Sequence, residues 1–282
     1  MRVTLAKHAG FCFGVKRALD LVTAARRQAS GPICTLGPLI HNPQAVARLE
    51  EQGIHPIHSL DQVASGATLV IPSHGAAPEL LAQAQQRGLR TLDATCPFVA
   101  NAQDHTRRLA AEGYQVVILG DAGHPEVLGL LGQAGGKARV VAEPAQAAAL
   151  QLGGKVGLVT QTTQTGSRLQ QVADALLQGA VELRIFNTIC AATSQRQAGA
   201  LELAAQADMM VVVGGRNSAN TARLAELCSQ VVPTYHVETA AELEAAWFAG
   251  VRHAGIAAGA STPDWIIEAV AAAVTRLAGG KT

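Results

Sequence analysis

Short runs of apolar, often β-branched residues alternate along the chain with stretches whose apolar residues recur at helical spacing. Three examples are ATLVIPS followed by PELLAQAQQRG, YQVVILG followed by PEVLGLLGQ, and MMVVVGG followed by TARLAELCSQ. This alternation predicts parallel strands joined by helices, and therefore the α/β class. Neither a long linker nor a low-complexity segment interrupts it.

One strand-to-helix junction recurs three times with a cysteine in the same place. Cys12, Cys96 and Cys190 each follow a strand-like run and precede a helical one, and successive members are 84 and 94 residues apart. A helix just after Cys12 is indicated by apolar residues at helical spacing, which are Val15, Ala18, Leu19 and Val22. The repeat predicts three small pseudo-repeated α/β domains of about four strands each, packed around a common centre. We expect their bounds at 13–96, at 97–189, and at 190–282 together with 1–12.

The composition gives no sign of a nucleic-acid or membrane partner. The 282 residues are 49% hydrophobic and 15% charged, with a formal net charge of +1, so any acidic ligand must be held locally. No segment approaches the roughly 20 apolar residues of a membrane span, and the amino terminus lacks the apolar region of a signal peptide. We therefore expect a cytoplasmic protein.

The five cysteines fall into two groups. In a reducing compartment an odd number of cysteines is a poor basis for a disulfide framework and suits packing, catalytic or metal-binding thiols. Cys12, Cys96 and Cys190 each stand at a predicted helix amino terminus, where the helix dipole favours the ligating thiolate, and three such thiols can bind a metal centre with one position open. Any one of them could instead be a packing residue. We predict that packing role for Cys34 and Cys228, which lack the setting.

Polar side chains follow several predicted strands, at the carboxyl ends where α/β proteins bind ligands. His41, His74 and His124 lie in such loops, near predicted helix starts whose backbone N–H groups accept anions. Three more loops carry hydroxyl or amide groups, which are Thr160, Thr162, Thr163, Ser218, Asn220, Ser261 and Thr262. Together they predict a cavity for a phosphate or diphosphate without a Walker lysine. Taken singly, each residue also fits a structural role, such as a helix cap.

Glu126 lies two residues after His124, so the two side chains can reach one cavity. A carboxyl group beside an open metal site can supply protons to a ligand. The alternative is a first-turn glutamate that only complements the helix dipole. The neighbouring cysteines favour the proton donor.

A series of short motifs runs over nearly the whole chain, in the order GFCFGVKRAL, GPLIHNPQAV, SHG, DATCPFV, GHPEV, TQTT, NTICAATSQRQ, VVGGRNSANTARL and AGASTPDW. In sequence and in order, these motifs resemble the 4-hydroxy-3-methylbut-2-enyl diphosphate reductase family. That family catalyses the last step of the methylerythritol phosphate route to isoprenoids.

The resemblance implies a trefoil-like arrangement of three α/β domains around a central, oxygen-sensitive 4Fe-4S cluster. Cys12, Cys96 and Cys190 would each ligate one iron, with the fourth iron open to substrate. The implied reaction removes the allylic hydroxyl reductively, with electrons from ferredoxin or flavodoxin, and gives isopentenyl and dimethylallyl diphosphates. The implied site residues are His41, His74, Ser218, Asn220 and Ser261 for the diphosphate, His124 and Thr162 for the alcohol end, and Glu126 as proton donor.

One position departs from the family pattern. The family usually has Asn-Ser-Ser-Asn where this chain has NSAN, so Ala219 lacks a hydroxyl group. Because Ser218 and Asn220 remain, we expect weaker diphosphate binding rather than a different reaction.

Two other functions fit part of the pattern. A zinc site with three cysteine ligands would activate water for hydrolysis or deamination, although zinc sites often draw two ligands from a close pair such as C-x2-C, and these three are far apart. A cluster-bearing redox sensor would need the cysteines but no diphosphate cavity. Iron and sulfide analysis distinguishes zinc from a cluster, and turnover with a reduced donor distinguishes an enzyme from a sensor.

Overall fold

In the computed structural model, which describes residues 1–279, strands and helices alternate as the hydrophobic pattern predicts. The strands are β1 (Arg2–Leu5), β2 (Ile33–Leu36), β3 (Ile54–Ile57), β4 (Thr68–Ile71), β5 (Arg90–Asp93), β6 (Gln115–Leu119), β7 (Arg139–Val141), β8 (Lys155–Thr160), β9 (Glu182–Phe186), β10 (Met209–Val213), β11 (Thr234–Val237) and β12 (His253–Ala258). The helices are α1 (Phe13–Gln28), α2 (Pro43–Glu51), α3 (Pro78–Gln86), α4 (Pro97–Ala111), α5 (Pro125–Gln133), α6 (Pro144–Ala148), α7 (Gly166–Leu177), α8 (Ala191–Ala204), α9 (Ala219–Ser229) and α10 (Asp264–Gly279).

The strands form three parallel sheets of four strands, which confirms the predicted α/β class with three α/β units. The strand orders are β1-β12-β10-β11, β3-β2-β4-β5 and β7-β6-β8-β9, and the paired strands run parallel. In each sheet the strand that leads to a repeated cysteine, namely β1, β5 or β9, lies at an edge. The three sheets therefore share one arrangement, with the cysteine at an equivalent place.

The central strands are covered on both faces, which explains their unbroken apolar runs. In β10, Met209, Val211 and Val213 belong to one core cluster, and Met210 and Val212 belong to another. Side chains alternate between the two faces of a strand, so a strand with helices on both sides is apolar at every position. Strand β6 likewise contributes alternate residues to two clusters. In β6 and β10 the buried positions are therefore all apolar, and polar side chains come in the loops after the strands, where the site is expected.

The chain packs into two compact units. The first consists of Met1–Val15, His41–Ala47 and Ala191–Thr282 and contains the sheet of β1, β12, β10 and β11. The second consists of Lys16–Ile40 and Arg48–Cys190 and contains the other two sheets. Within the first unit, the Ser261 hydroxyl donates a hydrogen bond to the His41 carbonyl (2.9 Å) and so holds the short segment that starts at His41. The domain bounds expected from the internal repeat stay a prediction.

Candidate active site

Each repeated cysteine is bonded through its backbone to the loop that follows the neighbouring strand of its own sheet. The neighbouring strands are β12 beside β1, β4 beside β5, and β8 beside β9. The bonds run from the N–H of Cys12 to the carbonyl of Ala260 (3.0 Å), from Cys96 to Ser73 (2.9 Å) and from Cys190 to Thr162 (3.1 Å). Those loops also carry Ser261, His74 and Thr162, so each cysteine is anchored to a loop with a predicted substrate-binding residue.

The three cysteines stand directly before helices, as the sequence predicts. Helix α1 begins one residue after Cys12, α4 one residue after Cys96 and α8 one residue after Cys190. The sulfur of Cys12 also accepts a hydrogen bond from the backbone N–H of Val15 (3.5 Å). All three side chains are half-buried, and the positive end of a helix dipole stabilises a thiolate. The immediate surroundings of each thiol therefore favour the thiolate form that ligates metals.

The other two cysteines are packing residues, as predicted. Cys34 and Cys228 are buried within hydrophobic clusters. Burial raises the pKa of the Cys34 thiol, and it raises the pKa of the Cys228 thiol to about 11. At neutral pH both sulfurs consequently stay protonated and are poor metal ligands.

The carboxyl group of Glu126 is buried, and its hydrogen-bond partner in the described part of the chain is Thr162. It is 3% exposed, and it accepts hydrogen bonds from the backbone N–H of Thr162 (2.6 Å) and from the Thr162 hydroxyl (2.9 Å). Burial raises the pKa of Glu126 to about 7, although the bonds from Thr162 oppose this rise. A group with this pKa can both hold and release a proton near neutral pH.

The loops after β6 and β8 are tied together, which places Thr162 against Glu126. The Gln161 backbone N–H donates to the carbonyl of Leu119 (2.8 Å), and the Gln161 side-chain oxygen accepts from the N–H of Asp121 (2.9 Å). A side chain at Gly120 would meet Gln161 Oε1 at 3.0 Å. The absence of a side chain there allows the two loops to approach so closely.

His124 contacts the backbone of Glu126, and His74 lies beside His124. His124 caps α5, and its Nδ1 accepts a hydrogen bond from the N–H of Glu126 (3.1 Å). In a neutral ring the proton is then on Nε2, which can donate to a substrate oxygen. The rings of His74 and His124 are edge-to-face with centroids 6.4 Å apart. The second unit therefore brings together His74, His124, Glu126 and Thr162.

In the first unit the predicted diphosphate-binding residues also lie on neighbouring loops. Ser261 is bonded to the carbonyl of His41, as described above, and burial lowers the pKa of His41. Ser218 caps α9 and accepts the N–H of Thr221 (3.3 Å). The amide of Asn220 is 4% exposed, and neither its oxygen nor its nitrogen has a hydrogen-bond partner among the described residues. A buried amide of this kind is expensive unless a ligand completes its hydrogen bonds.

Glycines after β10 allow these loops to meet. A side chain at Gly215 would lie 2.9 Å from the His41 carbonyl oxygen. Gly214 has a φ of +147°, and a side chain there would lie 2.5 Å from the Thr262 hydroxyl. Glycine is therefore required at both positions. At Gly215 the reason is the close approach of the His41 backbone, and at Gly214 it is the positive φ together with the contact to Thr262.

Two of the threonines that the sequence offered as ligands have structural partners. Thr160 is fully buried, and its hydroxyl and backbone both bond to the Thr188 hydroxyl. Thr262 donates its hydroxyl to the Val213 carbonyl (2.9 Å). These bonds fix the ends of the strands, so we assign both residues to the scaffold.

Three residues that support the site were missed at the sequence level. Gln161 bridges two loops, and Arg17 donates to a carbonyl beside Cys96. The Gln103 amide nitrogen is buried without a hydrogen-bond partner among the described residues. A side chain at Gly75 would lie 2.6 Å from this nitrogen. Gln161 and Arg17 lie within the motifs TQTT and GFCFGVKRAL, which could have drawn attention to them; nothing in the pattern singles out Gln103.

Among residues 1–279, no group of three or more histidine, cysteine or acidic side chains is arranged to hold a metal ion. Ligation by Cys12, Cys96 and Cys190 therefore stays a prediction, supported by the surroundings of each thiol. In the same part of the chain no helix has the length and apolar character needed to cross a membrane.

The family model described as LytB protein matches residues 3–275. The chain belongs to the LytB protein family. Two curated relatives, both named 4-hydroxy-3-methylbut-2-enyl diphosphate reductase, match almost end to end. The protein of Pelobacter propionicus is 51% identical over 271 residues, covering 96% of each chain. The protein of Geotalea daltonii is 49% identical over 282 residues, covering 100% of this chain and 99% of the relative.

Solved structures extend the likeness of this LytB family member to three dimensions. A structure of (E)-4-hydroxy-3-methyl-but-2-enyl diphosphate reductase, described as the terminal enzyme of the non-mevalonate pathway, is 42% identical with a TM-score of 0.68, and covers 98% of this chain and 100% of that one. A second structure is that of the E-1-hydroxy-2-methyl-but-2-enyl-4-diphosphate reductase of Plasmodium falciparum. It is 26% identical with a TM-score of 0.90, and the match covers 95% of this chain and 86% of that one.

Proposed function

We propose that this chain is a 4-hydroxy-3-methylbut-2-enyl diphosphate reductase, an oxidoreductase of the non-mevalonate route to isoprenoids. Its relatives of 49–51% identity bear that name. The observation within the molecule that carries the proposal is the buried Glu126 carboxyl group, whose pKa is raised to about 7 by burial and which is bonded to Thr162. The products would be isopentenyl and dimethylallyl diphosphates.

The diphosphate end of the substrate is assigned to His41, His74, Ser218, Asn220 and Ser261. The unpartnered amide of Asn220 supports this assignment, because a phosphate oxygen and a bridging hydroxyl can satisfy it. Ser218 stands at the start of α9, where backbone N–H groups and the helix dipole favour an anion. None of these residues is a lysine or belongs to an acidic pair, so we expect binding without Mg²⁺.

The allylic alcohol end is assigned to His124, Thr162 and Glu126. Replacing the hydroxyl by hydrogen consumes two electrons and two protons, of which one proton leaves with the hydroxyl as water and the other is added to carbon. Glu126 is protonated in a substantial fraction of the molecules near neutral pH because burial raises its pKa to about 7. Thr162 fixes the carboxyl group through two hydrogen bonds, and His124 can donate through Nε2 to the substrate oxygen.

The electrons require a redox group, and the LytB family are iron-sulfur enzymes. We assign a 4Fe-4S cluster to Cys12, Cys96 and Cys190, with the fourth iron open to substrate. When bound, the cluster supplies electrons one at a time and a Lewis-acidic iron for the alcohol end. The half-buried thiols at helix starts support this assignment. Ferredoxin or flavodoxin is the expected electron donor.

The test is anaerobic purification followed by iron and sulfide analysis, and by turnover with a chemically reduced one-electron donor. We expect a cluster, consumption of 4-hydroxy-3-methylbut-2-enyl diphosphate, and formation of both five-carbon diphosphates with excess Mg²⁺ chelator present. Zinc in place of iron, or a cluster without turnover, would overturn the proposal. A strict need for added Mg²⁺ would overturn the assignment of the diphosphate site.

A further inference from the structure

Arg17 reaches the backbone immediately before Cys96. It lies in the first turns of α1, and its Nη1 donates a hydrogen bond to the carbonyl oxygen of Thr95 (2.9 Å). Thr95 is in turn held by a bond from its N–H to the side chain of Asp93 (2.8 Å), and Cys96 by its bond to Ser73. The residues around the thiol are therefore fixed at three points, one of which is a cation.

The charge of Arg17 has no acidic partner in the part of the chain that the structure describes. No carboxylate of the described residues lies within ion-pairing distance of its guanidinium group. The polar contact of that group is the hydrogen bond to the Thr95 carbonyl oxygen. Its side chain is half-buried, so water screens the charge incompletely. Arginine keeps its charge at every physiological pH. A persistent positive charge is therefore present beside a cysteine that carries a negative charge when it ligates a metal.

The same contact recurs at a second cysteine. Arg196 belongs to α8, is 6% exposed, and donates through Nη2 to the carbonyl oxygen of Gly10 (2.7 Å). Gly10 lies two residues before Cys12. Two helices that begin directly after a repeated cysteine thus each carry an arginine bonded to the backbone ahead of a repeated cysteine. This recurrence is unexpected for an incidental surface contact.

We propose that Arg17 is a positioning residue for Cys96: it holds the thiol in its ligating position, and its charge stabilises the reduced form of the cluster. The inference rests on the proposed function, because it presupposes the cluster. Groups that orient metal ligands typically contribute 10–100-fold in metal affinity. Nearby charge and hydrogen bonding set the reduction potential of an iron-sulfur cluster, and a cation raises it.

The matched control is Arg26, on the same helix. Its Nε donates to the carbonyl oxygen of Gln52 (3.1 Å), and its side chain is exposed. Arg26→Gln therefore removes the same type of bond from α1 without touching the backbone beside a repeated cysteine. A general loss of helix stability would affect both variants alike.

The full-length wild type, Arg17→Gln, Arg17→Lys and Arg26→Gln proteins are purified anaerobically. Cluster loss to an iron chelator and the reduction potential are then measured without substrate. We expect Arg17→Gln to lose its cluster roughly tenfold faster or more, with a reduction potential shifted to a more negative value. Lysine keeps the positive charge but lacks the planar guanidinium group. The reduction potential of Arg17→Lys should therefore stay near that of the wild type, while its cluster is lost faster. Arg26→Gln should match the wild type in both measurements.

A wild type without a cluster would overturn the proposed function, and this inference with it. A wild type with a cluster, together with an Arg17→Gln protein of equal cluster lifetime and equal potential, would overturn the inference alone. If Arg17→Gln does not fold by circular dichroism, Arg17→Lys decides: wild-type cluster lifetime in that variant would contradict the positioning role.

Discussion

Glu126 and Thr162 are joined by two hydrogen bonds, one from the Thr162 backbone N–H (2.6 Å) and one from its hydroxyl (2.9 Å). The carbonyl of the same threonine accepts the backbone N–H of Cys190 (3.1 Å). A buried carboxyl group that can hold a proton is thus separated by a single residue from a proposed cluster ligand. The loop after β8 therefore contacts both the proposed proton donor and a proposed cluster ligand through Thr162.

Replacing Glu126 by Gln is expected to slow turnover by at least about a hundredfold, the usual scale for loss of a general acid. Glutamine keeps the size of the side chain and can accept the Thr162 N–H, but it cannot donate a proton of comparable acidity. The cluster and substrate binding should be retained. Steady-state turnover, iron content and the substrate-induced change in the cluster spectrum measure these three outcomes.

Glu79 offers a matched control for this substitution. It follows Pro78 at the start of α3 as Glu126 follows Pro125 at the start of α5, but its side chain is exposed. Glu79→Gln should leave turnover unchanged. Near-wild-type turnover of Glu126→Gln would instead reduce Glu126 to a residue that complements the helix dipole.

The raised pKa of Glu126 also predicts a pH dependence of stability. Burial raises this pKa from 4.5 to about 7 in the folded protein. Between these values the folded state keeps the proton that the unfolded chain has released, so the free energy of unfolding falls as pH rises through this window. The wild type should therefore lose stability on the order of 3 kcal/mol relative to Glu126→Gln between pH 4.5 and pH 7.5.

Denaturant unfolding of both proteins at a series of pH values measures this difference, and effects common to the two proteins cancel. Glu79→Gln should show no such trend relative to the wild type. A constant difference between wild type and Glu126→Gln across the window would mean that the carboxyl group titrates near its ordinary value when folded.

Single substitutions should separate the five cysteines into ligands and packing residues. We expect Cys12→Ser, Cys96→Ser and Cys190→Ser to lose most of their iron and turnover, because the hydroxyl is a poor replacement for a thiolate. Cys34→Ala and Cys228→Ala should keep iron and turnover and lose only packing contacts. Anaerobic iron analysis checks each variant, and full iron in any of the first three would contradict the assignment.

Asn220→Leu should weaken substrate binding without weakening the fold. Within residues 1–279 the buried amide lacks hydrogen-bond partners, so an apolar side chain of similar size is expected to leave stability unchanged or to raise it by about 1–3 kcal/mol. Loss of a hydrogen bond to a charged diphosphate should raise KM by roughly tenfold or more. Steady-state kinetics and thermal unfolding measure the two effects. An unchanged KM would remove Asn220 from the diphosphate site.

Ala219→Ser restores the hydroxyl that the family pattern carries at the start of α9. Because Ala219 lies between Ser218 and Asn220, the added hydroxyl is expected to contribute one hydrogen bond to the diphosphate. A hydrogen bond to a charged group contributes about 1.5–3 kcal/mol, so KM should fall roughly tenfold or more while kcat stays the same. A change in kcat or in the product ratio would show that this position influences more than binding.

Much of the fold could be predicted from the sequence because it is encoded locally. The apolar runs of β6 and β10 are continuous since both faces of these strands are covered, and the residues after Cys12 have the spacing of α1. The repeated context of three cysteines predicted three α/β units and placed each thiol at a helix start. Resemblance to a family with specific motifs then extended the prediction to the function.

The sequence by itself determined the elements, the repeated cysteines and the polar loops, but not which side chains in those loops meet. Thr160 and Thr162 are two residues apart, yet Thr160 bonds to Thr188 within the scaffold and Thr162 bonds to Glu126. Periodicity cannot distinguish them, since their partners come from other parts of the chain.

Helices α3 and α5 both start with Pro-Glu, but only one of the two glutamates has the burial needed to act as an acid. PELL and PEVL predict the same local structure, and both form it. Only Glu126 is buried against the loop that carries Thr162, and this burial raises its pKa to about 7. Tertiary packing decided which of the two glutamates can act as an acid, because the pKa depends on desolvation and on bonds to residues distant in sequence.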